Sequence, residues 1–300
     1  MKEPAKCDGC ARGTPHRKMW TPSWPRSKGK SPAVPEGNVI HNQARRLRTR
    51  FRGQQIAVDS PQGRFASDAK RIDGRMLEKV EAHGKHLFMK FGDLWVHVHL
   101  GLFGKWRIGK GEAPEPRGQI RMRLRGGDGY AELRGPTVCE LLDEDGKKAA
   151  VAKIGPDPIK KSDPTPAWER VERSSAPIGG LLMDQRVFAG VGNIYRAEVL
   201  FRHNISPYRP GKQVSRGEFD AIWDDLVLLM AQGTKKGRID TVRPEHLPEI
   251  MGRRARKDRH GGEVYVYRRT GQPCHLCEAE VQMAEMGGRK LYWCPGCQPE

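Results

Sequence analysis

Cys274-His275-Leu276-Cys277 and Cys294-Pro295-Gly296-Cys297 stand 16 residues apart near the end of a 300-residue chain. Each short Cys-x2-Cys turn presents two thiolates at the bite a tetrahedral Zn2+ requires, and two such turns complete its shell. The intervening residues suit a β-hairpin with Gly287-Gly288 as its turn. The expectation is one structural zinc held by Cys274, Cys277, Cys294 and Cys297, because a closed four-thiolate shell leaves no open position. Four ordinary buried cysteines are the plain alternative. His275 and the nearby prolines are read as spectators. Cys7 and Cys10 form a third close pair but have only His16 near them, so no second metal site is expected. The polar N-terminus shows no apolar signal segment, and close pairs in a reducing cytosol read as ligands rather than disulfides.

Upstream of the cysteines, residues 252–262 are basic and irregular. Before them, Ser215-Arg216-Gly217-Glu218 is a capping box. It opens a helix expected to run to Gln232 and to end at Gly233, with Phe219, Ile222, Trp223, Leu226 and Met230 on one stripe. Ile178 to Phe201 is apolar and punctuated by glycine. Pro156, Pro158, Pro164 and Pro166 mark a linker. Ahead of it the period falls to two. Leu87–Phe91 and Leu94–Leu100 flank Gly92-Asp93 as a hairpin, and Arg121–Leu124 and Tyr130–Leu133 continue the pattern. A β-sandwich is expected, preceded by a helix over Val39–Phe51. His97 and His99 share one strand face with no carboxylate partner evident, so packing or DNA contact is expected of them.

The chain carries 54 Lys and Arg against 36 Asp and Glu, a net charge of +18, with mean hydropathy −0.71. No run of about 18 apolar residues exists, which excludes a membrane-spanning helix. The charge surplus points to a polyanion, nucleic acid first. Residues 1–34 hold eight basic residues against Glu3 and Asp8 and are rich in proline. They read as a disordered extension, yet most of the surplus belongs to the remainder.

Several segments, in order, resemble the formamidopyrimidine-DNA glycosylase/endonuclease VIII family. They are Pro35-Glu36-Gly37, Gly84-Lys85-His86-Leu87, His99-Leu100-Gly101-Leu102-Phe103-Gly104, the block Leu182–Tyr195 with its Asp184-Gln185 and Gly190-Val191-Gly192-Asn193, and the terminal zinc finger. The resemblance covers about residues 35–300. It implies an α+β multidomain fold: a catalytic β-sandwich with flanking helices over 35–152, a linker over 153–172, a helix–two-turn–helix domain over 173–262 and a zinc finger over 263–300. It also implies excision of oxidised bases from damaged double-stranded DNA, followed by cleavage of the abasic site. Pro35 would be the nucleophile that forms a Schiff base at C1′. Glu36 would be the general acid/base, and Lys85 would bind a phosphate at the lesion. Leu102 and Phe103 would fill the gap left by the flipped base, with Asn193 and Arg289 holding backbone phosphates. The short basic stretch from Gly252 to Val266, with Pro35-Glu36-Gly37 and Leu102-Phe103-Gly104, leans to the endonuclease VIII branch and so to oxidised pyrimidines. A monomer acting in the cytoplasm at the nucleoid, with no membrane partner, is implied.

One feature departs from that family. An internal proline nitrogen is a tertiary amide with no basic lone pair, and Pro35 follows 34 residues. A start at Val34, read as Met and then trimmed, would free the amine. Proteolysis is a second route. A retained extension would leave a catalytically inert paralogue that binds abasic or damaged DNA. An RNA-associated zinc-ribbon protein is a further alternative, against which the apolar pair and the Pro-Glu-Gly start both speak.

Overall fold

The computed structural model describes residues 35–256 and 262–300. Residues 1–34, with Cys7 and Cys10, and residues 257–261 of the basic stretch lie outside the described residues. Among the described residues, no helix is long and apolar enough to cross a membrane.

Helix α1 (Gly37–Phe51) buries Ile40, Ala44, Leu47 and Phe51 along one stripe, and Arg48 and Arg50 sit in the last turn, where the helix dipole favours cations. The chain then forms β1 (Ala57–Asp59), α2 (Ala66–Ile72), β2 (Lys79–His83), β3 (His86–Phe91), β4 (Leu94–His99), β5 (Lys105–Lys110), β6 (Ile120–Gly126), β7 (Gly129–Arg134), β8 (Val138–Leu142) and α3 (Glu144–Ala152). Two four-stranded antiparallel sheets result, ordered β1-β6-β7-β5 and β2-β3-β4-β8. The two-residue period puts Leu87, Met89 and Phe91 of β3, Val96 and Val98 of β4, and Met122, Leu124, Ala131 and Leu133 of the other sheet into one core. Gly92, at φ +65°, closes the β3–β4 hairpin, and the register pairs Phe91 with Leu94.

The proline-rich stretch is not bare coil. Pro158 starts a 3-10 helix over 158–160, and Pro166 lies in the first turn of α4 (Thr165–Val171), positions where a missing N–H costs nothing. Then follow α5 (Ile178–Leu181), α6 (Asn193–Arg202) and α7 (Arg216–Lys236). The Ser215–Glu218 capping box forms with both reciprocal bonds. Helix α7 does not stop at Gly233, as the sequence suggested, but continues to Lys236. Gly237, at φ +74°, provides the left-handed end. Gly233 serves close approach instead, since a Cβ there would fall 2.3 Å from the Tyr195 hydroxyl.

In the terminal module, β9 (Gln282–Met286) and β10 (Arg289–Trp293) pair antiparallel around Gly287 and Gly288, at φ +59° and +69°. The four thiolates Cys274, Cys277, Cys294 and Cys297 lie within 4.8 Å of one another. Sulfur separations are 3.8 Å for Cys274–Cys297 and 3.4 Å for Cys277–Cys294. A tetrahedral zinc with bonds of about 2.3 Å sets its sulfurs about 3.8 Å apart, so the donor set fits. Tyr292 and Cys294 share the core of Tyr195, Phe219 and Trp223, which makes the module an extension of the helical core. Gln298 adds a bolt, accepting from the Cys294 N–H at 3.0 Å and donating to the Ile205 carbonyl at 2.9 Å.

Chelation should therefore release one zinc per chain and raise amide exchange across 271–299, with little change in the sandwich strands. Elemental analysis combined with exchange mass spectrometry reads both. A purified protein with no bound zinc and a protected hairpin would contradict the assignment.

Candidate active site

Glu36 is the N-cap residue of α1, yet its side chain does not cap α1. It crosses to α6, where Oε1 accepts from the Ile194 N–H at 2.7 Å and Oε2 faces the Tyr195 N–H at 3.4 Å. The unpaired amides of a helix start are natural donors to a carboxylate. Glycine makes the approach possible. The Gly37 N–H donates to Gly190 O at 2.8 Å. A Cβ on Gly37 would lie 2.8 Å from Gly190 Cα, and one on Gly192 would lie 2.4 Å from Glu36 Cδ. Glu36 is 2% exposed. Burial pushes its carboxyl above the usual range, while Lys85 and the amides of Ile194, Tyr195 and Gly192 pull it back.

Lys85 follows the tight turn at Gly84, which has φ +53°. Its Nζ donates to Val191 O at 2.7 Å. Burial pushes this amine down to about 8; Glu36 opposes the shift and Arg289 adds to it. Arg289 stands exposed at the start of β10. Asn193 is the first residue of α6. Its Nδ2 donates to Lys290 O at 2.7 Å, and its Oδ1 accepts from Arg196 Nη2. The Asn193 amide thus joins α6 to the zinc hairpin.

Pro35, Lys85, Leu102 and Arg289 line one cavity of about 440 Å3, with His99, Met183, Asp184, Gln185 and Arg196 completing its wall. Glu36, next in the chain to Pro35, is buried and not part of the lining. Phe103 lies outside the lining, 73% exposed beside Leu102 on the turn after β4. An adjacent exposed apolar pair at a cavity mouth is suited to insertion into a base stack. The cysteine quartet is separate and acts through the hairpin that carries Arg289.

Two readings need amendment. His97 does have a carboxylate: Nδ1 lies 2.9 Å from Glu140 Oε1, and Nε2 lies 2.9 Å from His86 Nδ1. The partner was hidden because β4–β8 pairing, which sets His97 opposite Glu140, joins strands 43 residues apart. Arg196 was overlooked. It is almost fully buried, donates to Lys290 O at 3.1 Å, and has an Nε with no partner among the described residues. Its position three residues beyond Asn193, on the same helical face, was the available signal.

The arrangement unites a proline, a carboxyl disposed to hold a proton, and three cations, Lys85, Arg196 and Arg289, around a space open to solvent. That is a site for an anionic ligand such as a phosphodiester.

Comparison with known proteins agrees. The formamidopyrimidine-DNA glycosylase N-terminal domain matches residues 34–134, its H2TH domain matches 154–243, and the zinc finger found in that glycosylase and in IleRS matches 271–299. Endonuclease 8 1 of Mycobacterium tuberculosis is 48% identical over 274 residues, covering 88% of this chain and all of the relative. The DNA-(apurinic or apyrimidinic site) lyase Nei2 of Mycolicibacterium smegmatis is 31% identical, covering 88% of this chain and 99% of the relative. The structure of Lactococcus lactis Fpg with DNA containing N7-benzyl-Fapy-dG superposes with a TM-score of 0.72 at 26% identity, covering 89% of this chain and all of that one. Sandwich, helical domain, zinc hairpin and the cavity between them place the chain in the formamidopyrimidine-DNA glycosylase/endonuclease VIII family.

Proposed function

We propose that this protein is a DNA glycosylase with AP lyase activity that removes oxidised bases, pyrimidines in preference, with the Pro35 amine as nucleophile. The convergence of Pro35, Lys85 and Arg289 on one cavity, with the buried Glu36 next to Pro35 in the chain, carries the reading. The nitrogen lone pair bonds to C1′ as the glycosidic bond breaks, and the base departs with the bonding pair and the amine proton. Glu36 gives a proton to the ring oxygen as the sugar opens, leaving an iminium between C1′ and the proline nitrogen. The Glu36 carboxylate or water takes a C2′ proton, the freed electron pair expels the 3′ phosphate, and water adds to the remaining iminium to release an unsaturated aldehyde and the free amine. Lys85 and Arg289 hold phosphates beside the reacting sugar. Leu102 and Phe103 occupy the vacated stack and offset the few kcal/mol that extrusion costs.

This chemistry needs a chain whose first residue is Pro35. The match of the N-terminal family domain beginning at residue 34 supports that form. A monomer acting on damaged duplex DNA at the nucleoid suits the site, since one chain supplies cavity, wedge and hairpin.

Borohydride trapping on a duplex with one abasic site tests the nucleophile. The form beginning at Pro35 should become covalently linked and the 300-residue form should not. Glu36→Gln in the shorter form should slow base release by about 10²–10⁴-fold. Linkage of uncleaved full-length protein would move the nucleophile elsewhere. For lesion choice, single-turnover excision of thymine glycol should outpace that of 8-oxoguanine; the reverse order would place the substrate among purines.

The pH profile follows from the two amines. The terminal amine, near 8 in unstructured chains, must be neutral, so kcat/KM rises with pH up to about 8. Lys85 must be protonated to hold phosphate, and burial has already brought it down to about 8, so kcat/KM falls above that pH. Lys85→Arg keeps the charge and should extend the alkaline limb upward by about one pH unit or more. An unchanged alkaline limb would remove Lys85 from phosphate binding.

A further inference from the structure

Asp157 lies at the head of the 3-10 helix that joins the sandwich to the helical domain, and it is 0% exposed. One of its oxygens, Oδ2, is 2.8 Å from His41 Nε2 and accepts from the Gly84 N–H at 2.8 Å. The other, Oδ1, accepts from the Ile159 N–H at 2.9 Å. His41 belongs to the helix that begins beside Pro35 and Glu36. Gly84 immediately precedes Lys85. A single carboxylate in the interdomain connection therefore holds both pieces of the sandwich that carry the reacting groups.

The same connection is fastened to the third piece of the site. The Gly155 N–H donates to Gln185 O at 2.9 Å, and the Ala189 N–H donates to Pro156 O at 3.0 Å. His83 Nε2 lies 2.9 Å from Gly155 O, and Lys160 Nζ lies 3.4 Å from His83 Nδ1. His41, His83 and Lys160 are thus the titratable groups around Asp157. Burial would raise its carboxyl, but the bond and charge of His41, with the Gly84 amide and His83, more than offset this and hold it below the usual range. The Gly84 turn has no slack, because a Cβ there would fall 2.9 Å from Gly190 N. Any movement of Gly84 moves Lys85 relative to Val191 and Glu36.

We infer that Asp157 is a positioning residue that sets Lys85 against Pro35 and Glu36 by locking the interdomain connection to His41 and Gly84. This rests on the reading of Lys85 as the phosphate grip at the lesion. A buried carboxylate has to be fully paired to be tolerated, and an amide cannot replace it here: an asparagine oxygen that accepts from His41 and Gly84 turns its NH2 against the Ile159 N–H.

The test uses Asp157→Asn in the form beginning at Pro35, with zinc content and thermal midpoint as controls. Affinity is measured for a duplex with a tetrahydrofuran abasic analogue and for undamaged duplex, beside single-turnover cleavage at saturating DNA. The abasic-analogue affinity and the cleavage rate should each fall about tenfold or more, with binding to undamaged duplex retained, because misplacement by about 1 Å suffices for losses of that size. His41→Gln keeps an N–H near the Nε2 position and should stay within about threefold of wild type, whereas His41→Leu should behave as Asp157→Asn. An unchanged affinity ratio and rate in Asp157→Asn would overturn the inference. So would equal loss of damaged and undamaged binding together with a lowered midpoint, which would make Asp157 structural only. A wild-type form that binds the analogue but never cleaves would instead refute Pro35 as nucleophile, and the affinity ratio would still decide the role of Asp157.

Discussion

The carboxylate of Glu36 at the first amides of α6 is the contact on which the arrangement of the site depends. It joins residues 158 positions apart, one from each domain. Its energetics are finely set. Desolvating a carboxylate costs several kcal/mol. Charge-assisted bonds to amides return about 1.5–3 kcal/mol each, and a helix start adds up to about 2 kcal/mol. Gain and cost are of similar size, so the carboxyl sits above its usual range instead of being clamped as an anion. Replacing it would damage both architecture and chemistry.

The cations pose the opposite problem. Lys85 comes from the β2–β3 turn, Arg196 from α6 and Arg289 from the zinc hairpin, three elements that only tertiary structure brings together. Burial lowers Lys85 most, Glu36 opposes that, and the like charge of Arg289 adds to the lowering. Packing against Val191 and Lys290, and the metal that closes the hairpin, hold them in place without a ligand. A phosphate entering the cavity relieves that repulsion. The zinc module thus bears on the cavity from a distance, by fixing where one positive charge stands.

The architecture was largely legible because its signals are local. The Cys-x2-Cys pairs, the capping box at Ser215 and the Gly92-Asp93 turn each specify their structure within a few residues. Pro35, Lys85, Leu102 and Arg289 could be placed at one site only through the resemblance to a family, and the cavity unites them. What escaped was set by contacts between distant segments. Glu140 reaches His97 only through strand pairing. Gly233 has a breaker's identity but a packing role that appears once α6 lies beside α7. Asp157, in a run of prolines, looks like any linker acid until His41 and Gly84 arrive from either side. Arg196 carries no motif in the sequence, and its burial follows from β10 packing against α6.

Rigidity at the start of α1 bears on the role proposed for Pro35. Three bonds fix this helix near its origin: Gly37 N–H to Gly190, His41 to Asp157, and Asn42 Nδ2 to Thr234 O at 2.7 Å. The residue ahead of Glu36 inherits that fixity. A lysine nucleophile would carry its amine on a four-carbon stem and lose rotamer freedom with every attack. A secondary amine closed into the backbone ring has no such freedom to lose, so its placement is settled by folding and little ordering is left for the moment of reaction. In the proposed reaction, the fold would contribute by holding still the amine of a chain that begins at Pro35, with Glu36 beside it.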